Sequence, residues 1–175
     1  MNTHQHSINK IKINKRYQGG FTLTELMITI GIMAIALGLA APSLTDFIEN
    51  NRMTTTANKL VSAINYARNE AVSRRENVRI SGDDSGWWVD VVPLTTSTTQ
   101  RIADYNLDQN MVLRISDNSV SGITFSPSGF RDMSAAPSSF FFTVCNPANN
   151  FNRIVTVNAA GTTTVTKGTT GCPSP

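Results

Sequence analysis

Hydrophobic and polar residues follow three successive patterns along this chain. From Phe21 to Ala41 the residues are apolar almost without interruption, and from Leu44 to Val72 apolar residues recur every three or four positions. From Asn77 onward short runs alternate between apolar and polar. The first run has 21 residues. As a helix rising about 1.5 Å per residue it spans roughly 30 Å, one hydrocarbon core. In the second, Leu44, Phe47, Ile48, Ala57, Leu60, Val61, Ile64, Ala67, Ala71 and Val72 form one stripe. Asp46, Glu49, Arg52, Lys59, Arg68, Arg74 and Arg75 occupy the opposite face. This spacing predicts that the helix continues to about Arg75, its second half amphipathic and lying on a globular domain. Two breaks are expected within it. Pro42 frees the carbonyl of Gly38 and predicts a kink, and Met53-Thr54-Thr55-Thr56 is a weakly helical stretch with room for a bend.

The alternating third region predicts an antiparallel sheet. Strands are expected at Val78–Ser81, Trp87–Val92, Met111–Ser116, Gly122–Ser126, Ser139–Cys145, Arg153–Asn158 and Thr162–Lys167. The first two read as a hairpin across Gly82–Gly86, and the last two as a hairpin turning at Ala159-Ala160-Gly161. Leu94–Gln100 reads as a polar connection. Trp87 and Trp88 must point to opposite faces of their strand, one into the core and the other to a half-buried position. The organisation is a leader (1–20), an apolar helix (21–41), its amphipathic continuation (42–76) and a single β-rich head (77–175). The class is α+β: a long N-terminal helix packed on an antiparallel head.

Charge changes the reading of the N-terminus. The chain carries 15 Lys/Arg against 12 Asp/Glu, a net +3, and a pI near 9.1. Four of the basic residues, Lys10, Lys12, Lys15 and Arg16, precede the apolar run, with no acid among them. Such a flank stays on the cytoplasmic side, so the head is expected across the membrane. A secretory signal places a small-residue cleavage site after a shorter apolar core; here the small-residue junction, Gly19-Gly20, precedes the core. Cleavage there removes the leader, keeps the helix, and leaves 11 basic against 12 acidic side chains, or −1. The high pI therefore belongs mostly to the leader and is poor evidence for a nucleic-acid partner.

Within the apolar run stands one acid, Glu25. A charge inside a spanning helix costs about 2.5–3.5 kcal/mol and reads by default as functional; the alternative is a carboxylate snorkelling into the headgroups. After cleavage the α-amino group of Phe21 lies within about one helical turn of Glu25, so the two can pair in a lone subunit, while in an assembly Glu25 can reach a neighbour's Phe21 amine. Gly31, Ala34, Gly38 and Ala41 offer small surfaces for helix approach, Ala34 and Gly38 at small-xxx-small spacing, though such residues are common in membrane helices.

The leader ending in Gly20, followed by Phe21-Thr-Leu-Thr-Glu25-Leu and a long apolar run, resembles the class III signal of type IV pilins and type II secretion pseudopilins. The family usually has an apolar residue where this chain has Thr24. The resemblance implies the type IV pilin fold, cleavage between Gly20 and Phe21 by a prepilin peptidase, and N-methylation of Phe21. It also implies that Glu25 docks the subunit into a growing filament, with other minor and major pilins and an inner-membrane assembly platform as partners. Before assembly the subunit rests in the lipid bilayer, a single pass with its N-terminus inside and its head in the periplasm. More loosely, "GITFSPSGF" followed by "FFFTVCN…RIVTVNAAG" resembles the branch that includes FimU, FimT and GspH.

Cys145 and Cys172 form an even count in a domain expected outside the cytoplasm, which favours a disulfide over two free thiols. No cofactor or metal is expected. The only histidines, His4 and His6, lie in the leader, and the adjacent Asp83 and Asp84 are weak evidence for calcium. The mature chain offers no Ser-His or Cys-His pair, Walker loop or dinucleotide fingerprint, so an enzyme is not expected. "YARNEAVSRRENVRI" reads as a solvated helix end, interrupted by Glu70 and Glu76 and favoured by the C-terminal dipole at Arg74 and Arg75. Three functions follow: a minor pilin that initiates or caps a type IV pilus, a minor pseudopilin of a type II secretion system, or a DNA-capturing pilin. Some FimT-type relatives bind DNA through an arginine-rich C-terminal motif beginning Gly-Arg. Here Gly161 is followed by Thr162–Thr166, with only Lys167 and Arg153 nearby, too few cations for strong phosphate binding.

Overall fold

The computed structural model describes residues 20–95, 98–108, 110–116, 122–134, 140–148, 151–169 and 171–172, and within them the side chains of all but residues 40–42. The leader with Gly19, His4 and His6, and the side chains of Ala41 and Pro42, fall outside this set. The chain divides into two units, Met1–Pro42 and Ser43–Pro175. Helix α1 is assigned over Leu23–Arg74.

In the first unit every large apolar side chain from Leu23 to Leu39 is exposed. A Cβ added at Gly31 or Gly38 would meet nothing within 4 Å. No single helix among the described residues is long and apolar enough to cross a membrane; the segments Leu23–Leu39 and Ser43–Arg74 suffice by length and composition when taken together. The 21-residue apolar run includes Phe21 and Thr22, which precede the helix.

In the second unit α1 joins a core with both sheets. Met53, Ala57, Leu60, Ala63, Ile64, Ala67 and Ala71 are buried at the three- and four-residue spacing of one helix face. The predicted stripe is right from Ala57 to Ala71 but too long at both ends, since Leu44, Phe47, Ile48 and Val72 are exposed. The weak helix formers at 53–56 remain helical. Tertiary contact overrides their propensity: Met53 is fully buried, and buried Thr56 donates its hydroxyl to Met111 Sδ at 3.4 Å.

The eight strands are β1 (Asn77–Asp83), β2 (Gly86–Val92), β3 (Gln100–Asn106), β4 (Val112–Ile115), β5 (Gly122–Phe125), β6 (Phe140–Asn146), β7 (Phe151–Val157) and β8 (Thr163–Lys167). They form two four-stranded sheets, ordered β3-β2-β1-β5 and β4-β6-β7-β8, every pairing antiparallel. The sheets meet where β1 runs beside β4. There a Cβ on Gly82 would crowd Leu113 and lie 2.9 Å from the Gly86 carbonyl oxygen, which favours glycine.

Strand β3 has no counterpart among the expected strands, and it begins where the expected polar connection Leu94–Gln100 ends. It is an edge strand, "QRIADYN", half-buried or exposed throughout, so it shows little of the apolar alternation on which a strand is recognised. The expected hairpins are present. At the first, Asp83 Oδ1 accepts from the Ser85 N–H (2.8 Å), the Ser85 hydroxyl and the Gly86 N–H (3.2 Å). At the second, Gly161 adopts φ +76°, and Asn158 Oδ1 accepts from the Thr162 N–H at 3.0 Å.

Candidate functional site

The first turn of α1 carries the only charged side chain between Phe21 and Thr45, that of Glu25. Thr22 precedes the helix and Glu25 is its third residue. The Thr22 N–H and hydroxyl both donate to Glu25 Oε2 at 2.9 Å, and the Glu25 N–H donates to Thr22 Oγ1 at 3.2 Å. This reciprocal pair is a capping box, which satisfies two of the amide donors that every helix start leaves open. Sequence reading passed over it, although Thr22-Leu23-Thr24-Glu25 spells the S/T-x-x-E signature. The box holds the carboxylate one turn from Phe21, which is itself 88% exposed. The cleavage residue Gly20 is likewise exposed.

In the head, Cys145 of β6 and Cys172 are joined in a disulfide, with Cα atoms 5.6 Å apart. Cys145 lies opposite Asn152 of β7 in register, and Asn152 Nδ2 donates to the Gly171 carbonyl at 3.3 Å. After β8 the chain thus turns back past β7 to β6 as a strap. Trp87 is 1% exposed and stacks on Tyr105 at 5.7 Å. Trp88 is half-buried under the Arg101 guanidinium, 4.6 Å from its ring centre.

The two carboxylates once weighed for calcium have separate tasks. Asp83 closes its turn, and Asp84 pairs with Arg114. Arg74 pairs with Glu70 within the helix. A polar clasp unseen in the sequence ties α1 to the β6–β7 end of the second sheet. Glu49 accepts from Asn146 Nδ2 (3.3 Å) and Arg52 Nη1 (3.4 Å), while Asn50 Oδ1 accepts from Arg153 Nη2 (2.6 Å). Arg153, one of the two cations considered for nucleic acid, is therefore engaged inside the fold. A shallow groove beside α1 is lined by Ile48, Asn51, Arg52, Thr55, Lys59 and Asp108.

An exposed apolar helical segment opened by a capped glutamate, and a second unit in which two sheets pack on the helical stretch from Met53 to Ala71, define a pilin-like protein. Its N-terminus matches the prokaryotic N-terminal methylation motif over residues 15–41. Residues 56–161 match the model of the type II transport protein GspH, more than half of the chain, and the chain belongs to that family. The family is one of structural pilin and pseudopilin subunits. No curated protein sequence matches the chain. Among solved structures it is similar to the type IV minor pilin FimU of Pseudomonas aeruginosa: TM-score 0.56 and 20% identity, covering 71% of this chain and 98% of that one. It is also similar to the minor pseudopilin EpsH of the type 2 secretion system of Vibrio cholerae: TM-score 0.54 and 11% identity, covering 66% and 97%. At these identities the likeness is one of fold, and it supports the α+β pilin architecture.

Proposed function

We propose that this chain is a minor type IV pilin that helps initiate or cap the filament. The observation that carries the reading is Glu25, a lone acid at the exposed start of an otherwise apolar helix, within a methylation motif. In this reading the precursor sits once in the inner membrane with its head in the periplasm. A prepilin peptidase cuts between Gly20 and Phe21, and Phe21 is N-methylated. Glu25 then meets a Phe21 amine as the subunit leaves lipid for the filament, where an unpaired carboxylate would be costly. Pro42, which frees the Gly38 carbonyl, supplies the kink. The likeness to FimU supports a place in a pilus.

The test is mass spectrometry of filaments sheared from cells. Low-abundance peptides beginning at methylated Phe21 are expected. Glu25→Ala should still insert and be cleaved yet be depleted from filaments by about tenfold or more, the loss of a single charge pair in a dry setting. Normal incorporation of that variant overturns the docking role. A second reading, a minor pseudopilin of a secretion system, is favoured by the GspH family match and the likeness to EpsH. It predicts mature chain in the envelope and none in sheared pili.

A further inference from the structure

The four sheet edges differ in how they are closed. The β3 edge carries Arg101 and Asp104, ion-paired at 3.1 Å, and its register shifts at Val89/Asp90; charge and irregularity of this kind discourage strand addition. The β5 edge is covered by its own continuation, through the bridge of Phe125 to Arg131 and the Asp132 N–H donating to the Thr124 carbonyl at 2.8 Å. β4 is four residues long and runs beside β1. Among the described residues β8 has no covering segment and no register shift, and its one charge, Lys167, stands at its last position. It pairs with β7 on one side, and the strap after it leads back toward Cys145, away from its outer side. Thr163, Thr164, Val165 and Thr166 are all β-branched, which favours an extended backbone already set for pairing.

Two features of β8 define what would complete it. Val165 lies opposite Val155, and Thr163 opposite Val157. Val155 and Val157 are fully buried, so Val165 is on the core side of the sheet, yet it is 39% exposed. The apolar layer stops one strand short. On the same side Lys167 lies directly opposite Arg153, a like-charge pair of the kind that weakens a sheet. Arg153 donates to neutral acceptors, the Asn152 carbonyl, Asn50 Oδ1 and Thr54 Oγ1, and among the described residues Lys167 has no ion-pair partner.

We propose that the outer edge of β8 is a strand-addition site. Its occupant is an extended segment from another subunit's head, with an apolar residue opposite Val165 and an acid two positions away opposite Lys167. The incoming strand extends the second sheet by backbone hydrogen bonds, continues the apolar layer past Val165 and gives Lys167 a carboxylate partner on its outer side, which offsets its repulsion from Arg153. The proposal rests on the assembly reading only for the source of that strand.

The test uses the full chain in detergent micelles, followed by NMR amide shifts. The probe is the capped peptide acetyl-Thr-Val-Thr-Val-Thr-Glu-amide, with a version carrying proline in place of its second valine as control. Saturable shifts confined to β8 and β7 are expected, and none from the control. Val165→Lys should weaken binding by about tenfold, while Val165→Thr, which keeps the branched side chain, largely retains it, both with melting temperatures near that of the parent. Lys167→Glu should reverse the preference toward a lysine-ended peptide. Absence of shifts on β8 at millimolar peptide, shifts centred on another edge such as β3, or indifference to the charge reversal each overturns the proposal. None of these outcomes depends on how the Glu25→Ala chain behaves in cells.

Discussion

Arg75 closes α1 with φ at +58°, a left-handed conformation that crowds Cβ against the following carbonyl and costs a non-glycine residue about 1–2 kcal/mol. Glycine is the usual occupant of this position. Arg75→Gly relieves the strain and adds some unfolded-state entropy, for a net gain of about 0.5–1 kcal/mol, read as a higher melting temperature. Asp83 acts in the opposite sense under acid. Hydrogen bonds from the Ser85 hydroxyl and then the Ser85 N–H hold its carboxyl below the ordinary value. Its stabilisation is therefore complete above the unfolded pKa of about 3.9 and is lost as pH falls through the lower folded value. Asp83→Asn keeps the acceptor but not the charge, so its melting temperature should lie below the parent's near neutrality and converge on it in acid. An unchanged gap across that range would deny the charge any role. Individual residues were unevenly legible. The alternation that separates Trp87 from Trp88 is a property of any strand. The capping box at Thr22 and Glu25 needed the helix start to be located first, and the oiliness of the run hides that start.

At the level of elements, local periodicity carried α1 and the six strands that have buried residues, while β8, exposed over most of its length, is legible from its β-branched run after the Ala159-Ala160-Gly161 turn. Strand β3 has neither signal. The division into two sheets was also not legible. It depends on β1 meeting β5 and β4 meeting β6 across long stretches of chain, and nothing in a strand's own residues names a distant neighbour. The clasp of Glu49 and Asn50 on Asn146 and Arg153 is hidden for the same reason. The strap is the element whose energetics are easiest to isolate. Cys145 and Cys172 are 27 positions apart, and closing a loop of that size removes about 3.5 kcal/mol of unfolded-state entropy. Reduction, or Cys145→Ala with Cys172→Ala, should lower the head's melting temperature accordingly. Equal melting of the oxidised and reduced forms would mean that the strap adds no stability.

For the molecule as a whole, the sequence divides its chemistry cleanly. The first unit exposes its large apolar side chains from Leu23 to Leu39, and the second buries those of Met53 to Ala71 against two sheets. The N-terminal motif made the class readable because it is local: Gly20, Phe21 and the lone acid Glu25 stand within six residues. Which machine the chain serves was not readable, since pilus and secretion subunits share that chemistry and differ in the neighbours their heads meet. The strap has a last consequence, one of chronology. Its two sulfurs join only where thiols are oxidised, and together they are the chain's only cysteines. If the head is exported as proposed, a molecule whose head has not yet crossed the membrane carries two alkylatable thiols, and one whose head has crossed and folded carries none. In that reading each copy keeps its own record of export, which a thiol-labelling pulse can read without a tag or an antibody.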